Sequence, residues 1–466
     1  MHILKGKILT DLEVIEMAEE GKAMAKHEGM VVFIDKAVPG DIVDVYIKKK
    51  KKSYIEAEVT VVKKPSSLRR EPFCEHFGTC GGCKWQYLDY ESQLTFKEKQ
   101  VKDALERIGK FENVNLIPIL GSSLTKHYRN KLDFSFADRK WLNFEEFSAT
   151  NEISGPGLGF HIAGKFDKVL DIENCYLQPD PSNAIRLATR EYCLTHEMPF
   201  MNIRHKEGMM RGLIIRNTLA GGLMVIVMVY KNDREKLEGL LKHLEQTFPQ
   251  ITSLLYVINP KGNDTFHDLV VHTWSGLPYI TEEMEGLQFR IGPKSFFQTN
   301  PTQTLALYQL AREFAAIKKT DIVYDLYTGT GTIALFVAGL AKKVVGIEYV
   351  EESIDNAKLN AELNDIKNSV FFAGDMKDLL SDELFNQEGK PDVIITDPPR
   401  SGMHEDVVAQ LLKSNCPRIV YVSCNPGTQA RDLLMLSEKY ELVKVQAVDM
   451  FPHTAHVESV ALLQLK

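Results

Sequence analysis

The stretch Asp321-Ile322-Val323-Tyr324-Asp325-Leu326-Tyr327-Thr328-Gly329-Thr330-Gly331-Thr332 decides the fold. Its first six residues are a short apolar run with the length of a buried strand. Two glycines follow, and a helical pattern takes over at 333–340. A strand that turns on glycine straight into a helix opens a strand–helix–strand unit, and the glycines let a ligand approach the backbone at the carboxyl end of the sheet. The turn is not a dinucleotide fingerprint, because a third glycine at the required spacing is missing.

Working outward, the alternation continues. A helix is predicted over 302–317, strands over 343–348, 391–396 and 418–422, and a helix over 351–364. This predicts an α/β architecture with a mostly parallel, doubly wound sheet over 289–466. Upstream, 125–290 reads as mostly β, with apolar alternation at 213–217 and 223–227 and one helix near 234–248. A polar, periodic stretch at 90–109 reads as a helix, and Pro65-Ser66-Ser67 as a linker. Residues 1–64 hold short β-branched runs around Val38-Pro39-Gly40-Asp41, the pattern of a small β-barrel of the oligonucleotide-binding type. The expected domains are therefore 1–64, 65–288 and 289–466.

The 466 residues are 44% hydrophobic and 26% charged, an ordinary globular balance that needs no metal or disulfide merely to fold. The net charge of −7 argues against a surface coated in basic charge, although a nucleic acid reads local potential. Locally, Asp44 to Arg70 carries nine Lys/Arg against three Asp/Glu, with Lys48-Lys49-Lys50-Lys51-Lys52 placed between strands. Such a run is a solvated hairpin tip or a phosphate contact. No stretch approaches the ~20 apolar residues of a membrane span, and Met1-His2-Ile3-Leu4-Lys5 is too short in apolar residues for a secretory signal. A cytoplasmic protein without disulfides is expected, so the seven cysteines read as metal ligands, nucleophiles or core.

Four motifs carry chemistry. Beside the glycine turn, Glu348 ends the next strand, where it can accept both hydroxyls of a ribose, and Asp375 in Ala373-Gly374-Asp375 ends the strand after, where an adenine edge would lie. The three together point to S-adenosylmethionine rather than NAD. Asp397-Pro398-Pro399-Arg400 resembles the Asp/Asn-Pro-Pro motif of nucleic-acid methyltransferases, but Arg400 stands where enzymes acting on exocyclic amines tend to carry an aromatic. Ser423-Cys424-Asn425-Pro426 puts a cysteine on the same sheet edge. Carbon 5 of uracil is a poor nucleophile until a thiolate adds to carbon 6, and a base must afterwards remove the carbon 5 proton. In Phe451-Pro452-His453-Thr454-Ala455-His456-Val457-Glu458, Glu458 is the candidate base, with His453 and His456 as alternatives or as metal ligands. Cys74-x5-Cys80-x2-Cys83 with the distant Cys175 could ligate zinc or an iron–sulfur cluster. Cys193 and Cys416 read as core.

Together with Phe296-Phe297-Gln298-Thr299-Asn300, these elements resemble the iron–sulfur-containing, TRAM-domain RNA (uracil-5-)-methyltransferase family, of the 23S rRNA type, over nearly the whole chain. The resemblance implies a class I methyltransferase sheet, an N-terminal TRAM barrel that binds RNA, and a β-rich central domain. It implies a [4Fe–4S] cluster on Cys74, Cys80, Cys83 and Cys175, with the helix after the cluster cysteines (near 86–120) packed on the catalytic domain. It implies cofactor contacts from Gln298, Tyr327, Glu348 and Asp397, and further ones from Thr332 and Asp375. It gives Cys424 as nucleophile and Glu458 as base. The implied partner is RNA, 23S rRNA first and tRNA as the alternative, with a monomer as the default and no membrane. Phe296 is an aromatic that could stack on a splayed-out uridine. The chain departs from many relatives at Thr328, where they carry Cys, and at Thr332, where they carry Asn; its acidic loop at 141–159 is long. An RNA-binding assembly factor that had lost catalysis should lack Cys424, Glu458 or the glycine turn, and all are present.

Overall fold

The computed structural model describes residues 6–142, 148 and 154–466. The reading of residues 1–5 and most of the acidic loop at 141–159 lie outside the described residues.

Strands β1 (Ile8–Glu13), β2 (Glu16–Met17), β3 (Ala23–His27), β4 (Met30–Asp35), β5 (Ile42–Lys50) and β6 (Tyr54–Lys64) pair in the order β1-β5-β6-β4-β3-β2. The two ends of that order are neighbours in the chain, so the sheet closes on itself. At the corner, Val14 N donates to Asp41 O and Ile15 N to Met24 O, one link to each side. The barrel is filled by alternate residues of its strands, such as Val43, Val45 and Ile47 of β5. The lysine run, read as lying between strands, belongs in its first three residues to β5; only Lys51 and Lys52 reach the turn.

The second sheet contains β8 (Lys131–Ala137), β9 (Gly157–His161), β10 (Val169–Asp171), β11 (Met210–Asn217), β12 (Leu223–Val229), β13 (Ser253–Ile258) and β14 (Val271–Gly276), in the order β10-β9-β8-β11-β12-β13-β14. Its central strands are buried on both faces, which the apolar alternation alone did not reveal. Leu213, Ile215, Val225 and Val227 pack with the helix Arg234–Thr247, while Ile214, Met224, Ile226 and Met228 join the core of the C-terminal sheet. A second helix, Ser182–Thr195, also covers this sheet, where only one helix was expected. The hairpin β15 (Ile280–Met284) and β16 (Leu287–Ile291) follows, so the boundary expected between 288 and 289 falls inside a strand.

The C-terminal sheet is built from β7 (Leu116–Leu120), β17 (Ile322–Leu326), β18 (Lys343–Glu348), β19 (Ser369–Ala373), β20 (Val393–Thr396), β21 (Arg418–Ser423), β22 (Tyr440–Val448) and β23 (Glu458–Leu465), in the order β19-β18-β17-β20-β21-β23-β22-β7. β17 to β21 are parallel, and β23 runs antiparallel between β21 and β22. Helices cover both faces: Pro301–Ala315, Thr332–Ala338 and Glu351–Leu363 on one, Tyr90–Arg107, Glu405–Ser414 and Pro426–Leu436 on the other. The strand order reverses between β17 and β20, which opens a crevice at their carboxyl ends. Among the described residues, no helix is long and apolar enough to cross a membrane.

Candidate active site

At the end of β17 the chain reverses through three left-handed residues, Tyr327 (φ 61), Gly329 (φ 54) and Gly331 (φ 79). A β-carbon on Gly331 would stand 2.9 Å from the Ala357 side chain, so packing on the next helix demands glycine there. A β-carbon on Gly329 would meet nothing within 4 Å and faces open space. Glu348 lies against this turn, its two oxygens accepting from Gly329 N (3.1 Å) and Val350 N (3.1 Å). Beneath it, Asp325 is fully buried; it accepts from Thr328 Oγ1 and from Ala334 N (2.9 Å), yet its Oδ1 has no partner. Burial raises the pKa of Asp325 to about 7. A buried acid with one free oxygen below an open glycine turn fits a polar ligand across that turn, which suits the cofactor expected from the sequence.

Of the other expected contacts, Tyr327 lies in this turn and Thr332 directly follows it. Thr332 opens its helix, and its Oγ1 is 3.1 Å from the Tyr308 hydroxyl. Asp375 is half-exposed, caps the short helix Met376–Leu379 and pairs with Lys377 at 3.3 Å. Gln298 is half-buried, and its carbonyl accepts from Asn130 Nδ2 at 3.1 Å. Phe296 beside it is 72% exposed.

Strand register brings together Cys424 and Glu458, the nucleophile and base expected from the sequence. β21 and β23 pair antiparallel with Ser423 opposite Ser459, so one step further along sets Cys424 opposite Glu458. The parallel pairing of β20 with β21 carries the Asp397–Arg400 loop alongside. That loop is stitched to the cysteine turn: Asn425 Nδ2 and Thr428 Oγ1 donate to Arg400 O at 3.0 and 3.2 Å. Asn425 also caps the helix Pro426–Leu436 by accepting from Gly427 N at 3.0 Å, which fixes where the cysteine turn begins.

Little solvent reaches Glu458, whereas Cys424 is half-buried and Arg400 exposed. Glu458 is 5% exposed, and burial, with the Asp397 charge beside it, raises its pKa to about 8. Burial raises the Asp397 carboxyl to about 7. The half-buried Cys424 thiol is raised to about 11, by burial first and then by Glu458 and Asp397, with Arg400 opposing. Tyr308, fully lined by protein, feels the same two acids and Asp325, and its hydroxyl is raised as well. Of the two histidines, His453 is buried with Nδ1 3.2 Å from Gln93 Nε2, and burial lowers its pKa to about 4. His456 is exposed beside a cavity.

That cavity, about 520 Å³, is lined by Cys74, Cys80, Cys83 and Cys175 and extends to Arg400 and His456. Burial and the neighbouring sulfurs raise the Cys80 and Cys83 thiols to about 11 and about 12. Among the described residues, no three His, Cys, Asp or Glu side chains stand close enough to hold one metal ion. Cys193 and Cys416 are buried in apolar surroundings.

Sequence reasoning singled out neither Asp325 nor Tyr308, nor the pair Lys97 and Asp449 described below. Asp325 had a signal, an acid in the strand that feeds the glycine turn. Lys97 and Asp449 had none, since each looks like an ordinary surface charge.

Comparison with known proteins adds the following. A model of the tRNA (Uracil-5-)-methyltransferase family matches residues 218–466, and one of the TRAM domain matches residues 10–60. An uncharacterized RNA methyltransferase of Bacteroides thetaiotaomicron is 55% identical over 97% of this chain and 100% of its own length. One from Porphyromonas gingivalis is 52% identical over 97% of this chain and 99% of its own. Among solved structures, the Pyrococcus abyssi tRNA (uracil-54, C5)-methyltransferase in complex with S-adenosyl-L-homocysteine aligns with a TM-score of 0.73 and 26% identity, over 97% of this chain and 100% of that one.

Proposed function

The chain belongs to the tRNA (Uracil-5-)-methyltransferase family and is an S-adenosylmethionine-dependent RNA methyltransferase, and from that premise we propose that it methylates carbon 5 of one uridine through a covalent Cys424–carbon 6 adduct. The observation that carries this reading is the register that sets Cys424 opposite Glu458 beside the Asp397–Arg400 loop. S-adenosylmethionine, when bound, supplies an electrophilic methyl group. Gln298, Tyr327, Thr332, Glu348, Asp375 and Asp397 would hold it around the open glycine turn, and Asp325, bonded through one oxygen to Thr328 and Ala334, supports that turn from below.

The Cys424 thiol gives its proton to solvent, the thiolate adds its electron pair to carbon 6 of the uracil, and the ring electrons shift to make carbon 5 nucleophilic. Arg400, which favours the thiolate, is placed to ease this step. After carbon 5 has gained its methyl, Glu458 takes the carbon 5 proton and the sulfur–carbon bond breaks, returning its electron pair to sulfur. A base whose pKa is near 8 suits proton transfer near neutral pH. Cys424→Ala is expected to abolish turnover and leave cofactor binding intact. Glu458→Gln is expected to accumulate a protein–RNA adduct that survives a denaturing gel. Turnover by the first variant would refute the mechanism.

The four thiols around one cavity support a [4Fe–4S] cluster on Cys74, Cys80, Cys83 and Cys175, a group that spans more space than one ion. Anaerobically purified protein should then carry about four irons and four sulfides; zinc without iron would refute it. The TRAM match and the exposed lysines at the end of β5 support an RNA phosphate contact.

The resemblance to the 23S rRNA type puts 23S rRNA first as the substrate. The Pyrococcus abyssi relative, which acts on tRNA uracil 54, supports a second reading, tRNA. Deleting the gene and measuring 5-methyluridine by mass spectrometry in purified 23S rRNA and tRNA separates the two. Loss from tRNA alone would keep the chemistry and replace the substrate.

A further inference from the structure

Glu458 is delivered by the loop 449–457, which carries no helix or strand of its own. The loop is gripped from one face of the helix Tyr90–Arg107, at positions 90, 93 and 97. Lys97 Nζ lies 2.5 Å from Asp449 Oδ1, with both side chains fully buried, and it also donates to Phe451 O at 3.0 Å. The Tyr90 hydroxyl donates to the other Asp449 oxygen at 2.8 Å. Asp449 Oδ1 accepts from Phe451 N at 3.1 Å, and Gln93 Oε1 from His453 N at 2.8 Å. His453 sits at φ 65, in the left-handed region that few non-glycine residues occupy.

We propose that Lys97 and Asp449 are positioning residues that fix the loop 449–457, and so hold Glu458 where it can take the carbon 5 proton. This rests on the reading of Glu458 as the base. A buried ion pair adds little stability over an apolar pair of similar size, but it tolerates one geometry. Adhesion of this helix to the sheet does not need the pair, because Val101, Ala104 and Leu105 already pack in the apolar core there. The charges instead sit at the start of the loop. Cys424, on a separate turn capped by Asn425, takes no bond from this network.

The roles of the two groups separate in time, which gives the test. Adduct formation needs Cys424, and adduct breakdown needs Glu458. The variant to make is Lys97→Met/Asp449→Asn, in which both charges leave together and no lone buried charge remains. Tyr90→Phe is the milder second variant, since it keeps the ion pair and removes one bond to Asp449. Each is assayed with methyl-labelled S-adenosylmethionine on unmodified transcripts of 23S rRNA and tRNA, beside wild type and Glu458→Gln.

The double variant is expected to form the labelled adduct at the wild-type rate and to release product about tenfold or more slowly. KM for RNA and cofactor should be unchanged, and Tyr90→Phe should shift the same way by less. Wild-type release by both variants would overturn the proposal. So would adduct formation and release falling together, which marks a merely structural contact. If Glu458→Gln itself accumulates no adduct, the assignment of the base falls first, and the positioning role with it.

Discussion

Glu458, Asp397 and Asp325 are three carboxyls that the fold holds near neutrality by denying them water. For Glu458 the cost depends on pH with a definite sign. Its folded pKa of about 8 lies above the ordinary 4.5, so the fold prefers the protonated form. Its contribution to stability is complete below about 4.5 and is lost as pH rises through about 8. Glu458→Gln should therefore melt higher than wild type at pH 9 and show little gain at pH 5, as scanning calorimetry would measure. An equal gain at both pH values would mean that the carboxyl is not held protonated. In the same window, product release by wild type should rise with pH and level off above about 8. Cys424 and Glu458 stand out as candidates in the sequence because each sits in a short motif with a chemical reason. Asp325 was not singled out, since a buried acid with an unpaired oxygen and a surface acid are written with the same letter.

Among elements, the parallel strands β17 to β21 were readable because each is a short apolar run closed by a turn. The helix Ser182–Thr195 was not, and its composition shows why: Arg186 and Thr189 are buried. Arg186 reaches inward to donate to Ile172 O and Glu173 O, so a charge occupies a core position and breaks the apolar periodicity. β11 and β12 misled in the opposite sense: they were read as alternating, yet Leu213–Ile215 and Leu223–Val229 are continuous apolar runs, as strands between two apolar cores must be. The glycine turn gives the sharpest test at this scale. Gly331→Ala adds a β-carbon at φ 79 and 2.9 Å from Ala357, so it should cost about 1–3 kcal/mol of stability and weaken cofactor binding. Denaturant melts and a calorimetric titration with S-adenosylhomocysteine would report the two effects; wild-type values in both would show that the turn is not set by this contact.

The molecule as a whole is tied together by long-range links that periodicity could not reveal. β7 pairs with β22, and Lys97 with Asp449, across more than three hundred residues of chain. The sequence divides at 64 and near 288, yet 90–120 returns to the C-terminal sheet and β11 and β12 share its core. Breaking the buried pair on one side should therefore be felt by the whole fold. Lys97→Met alone leaves Asp449 charged and unpaired, and should cost about 3–5 kcal/mol. Lys97→Met/Asp449→Asn should recover most of that loss in chemical denaturation. A single variant as stable as the double would mean that water reaches Asp449 once the lysine is gone.

The edge strand β7 also sets a timetable for biosynthesis. It leaves the ribosome long before β22 exists, and Lys97 is made 352 residues ahead of Asp449. At roughly 5–20 residues per second, the helix Tyr90–Arg107 and its following strand wait some ~20–70 s with an apolar face and an open edge uncovered. The nascent chain thus exposes an aggregation-prone edge throughout that interval, and a gene fragment beginning at residue 289 would yield a C-terminal sheet born without its outermost strand.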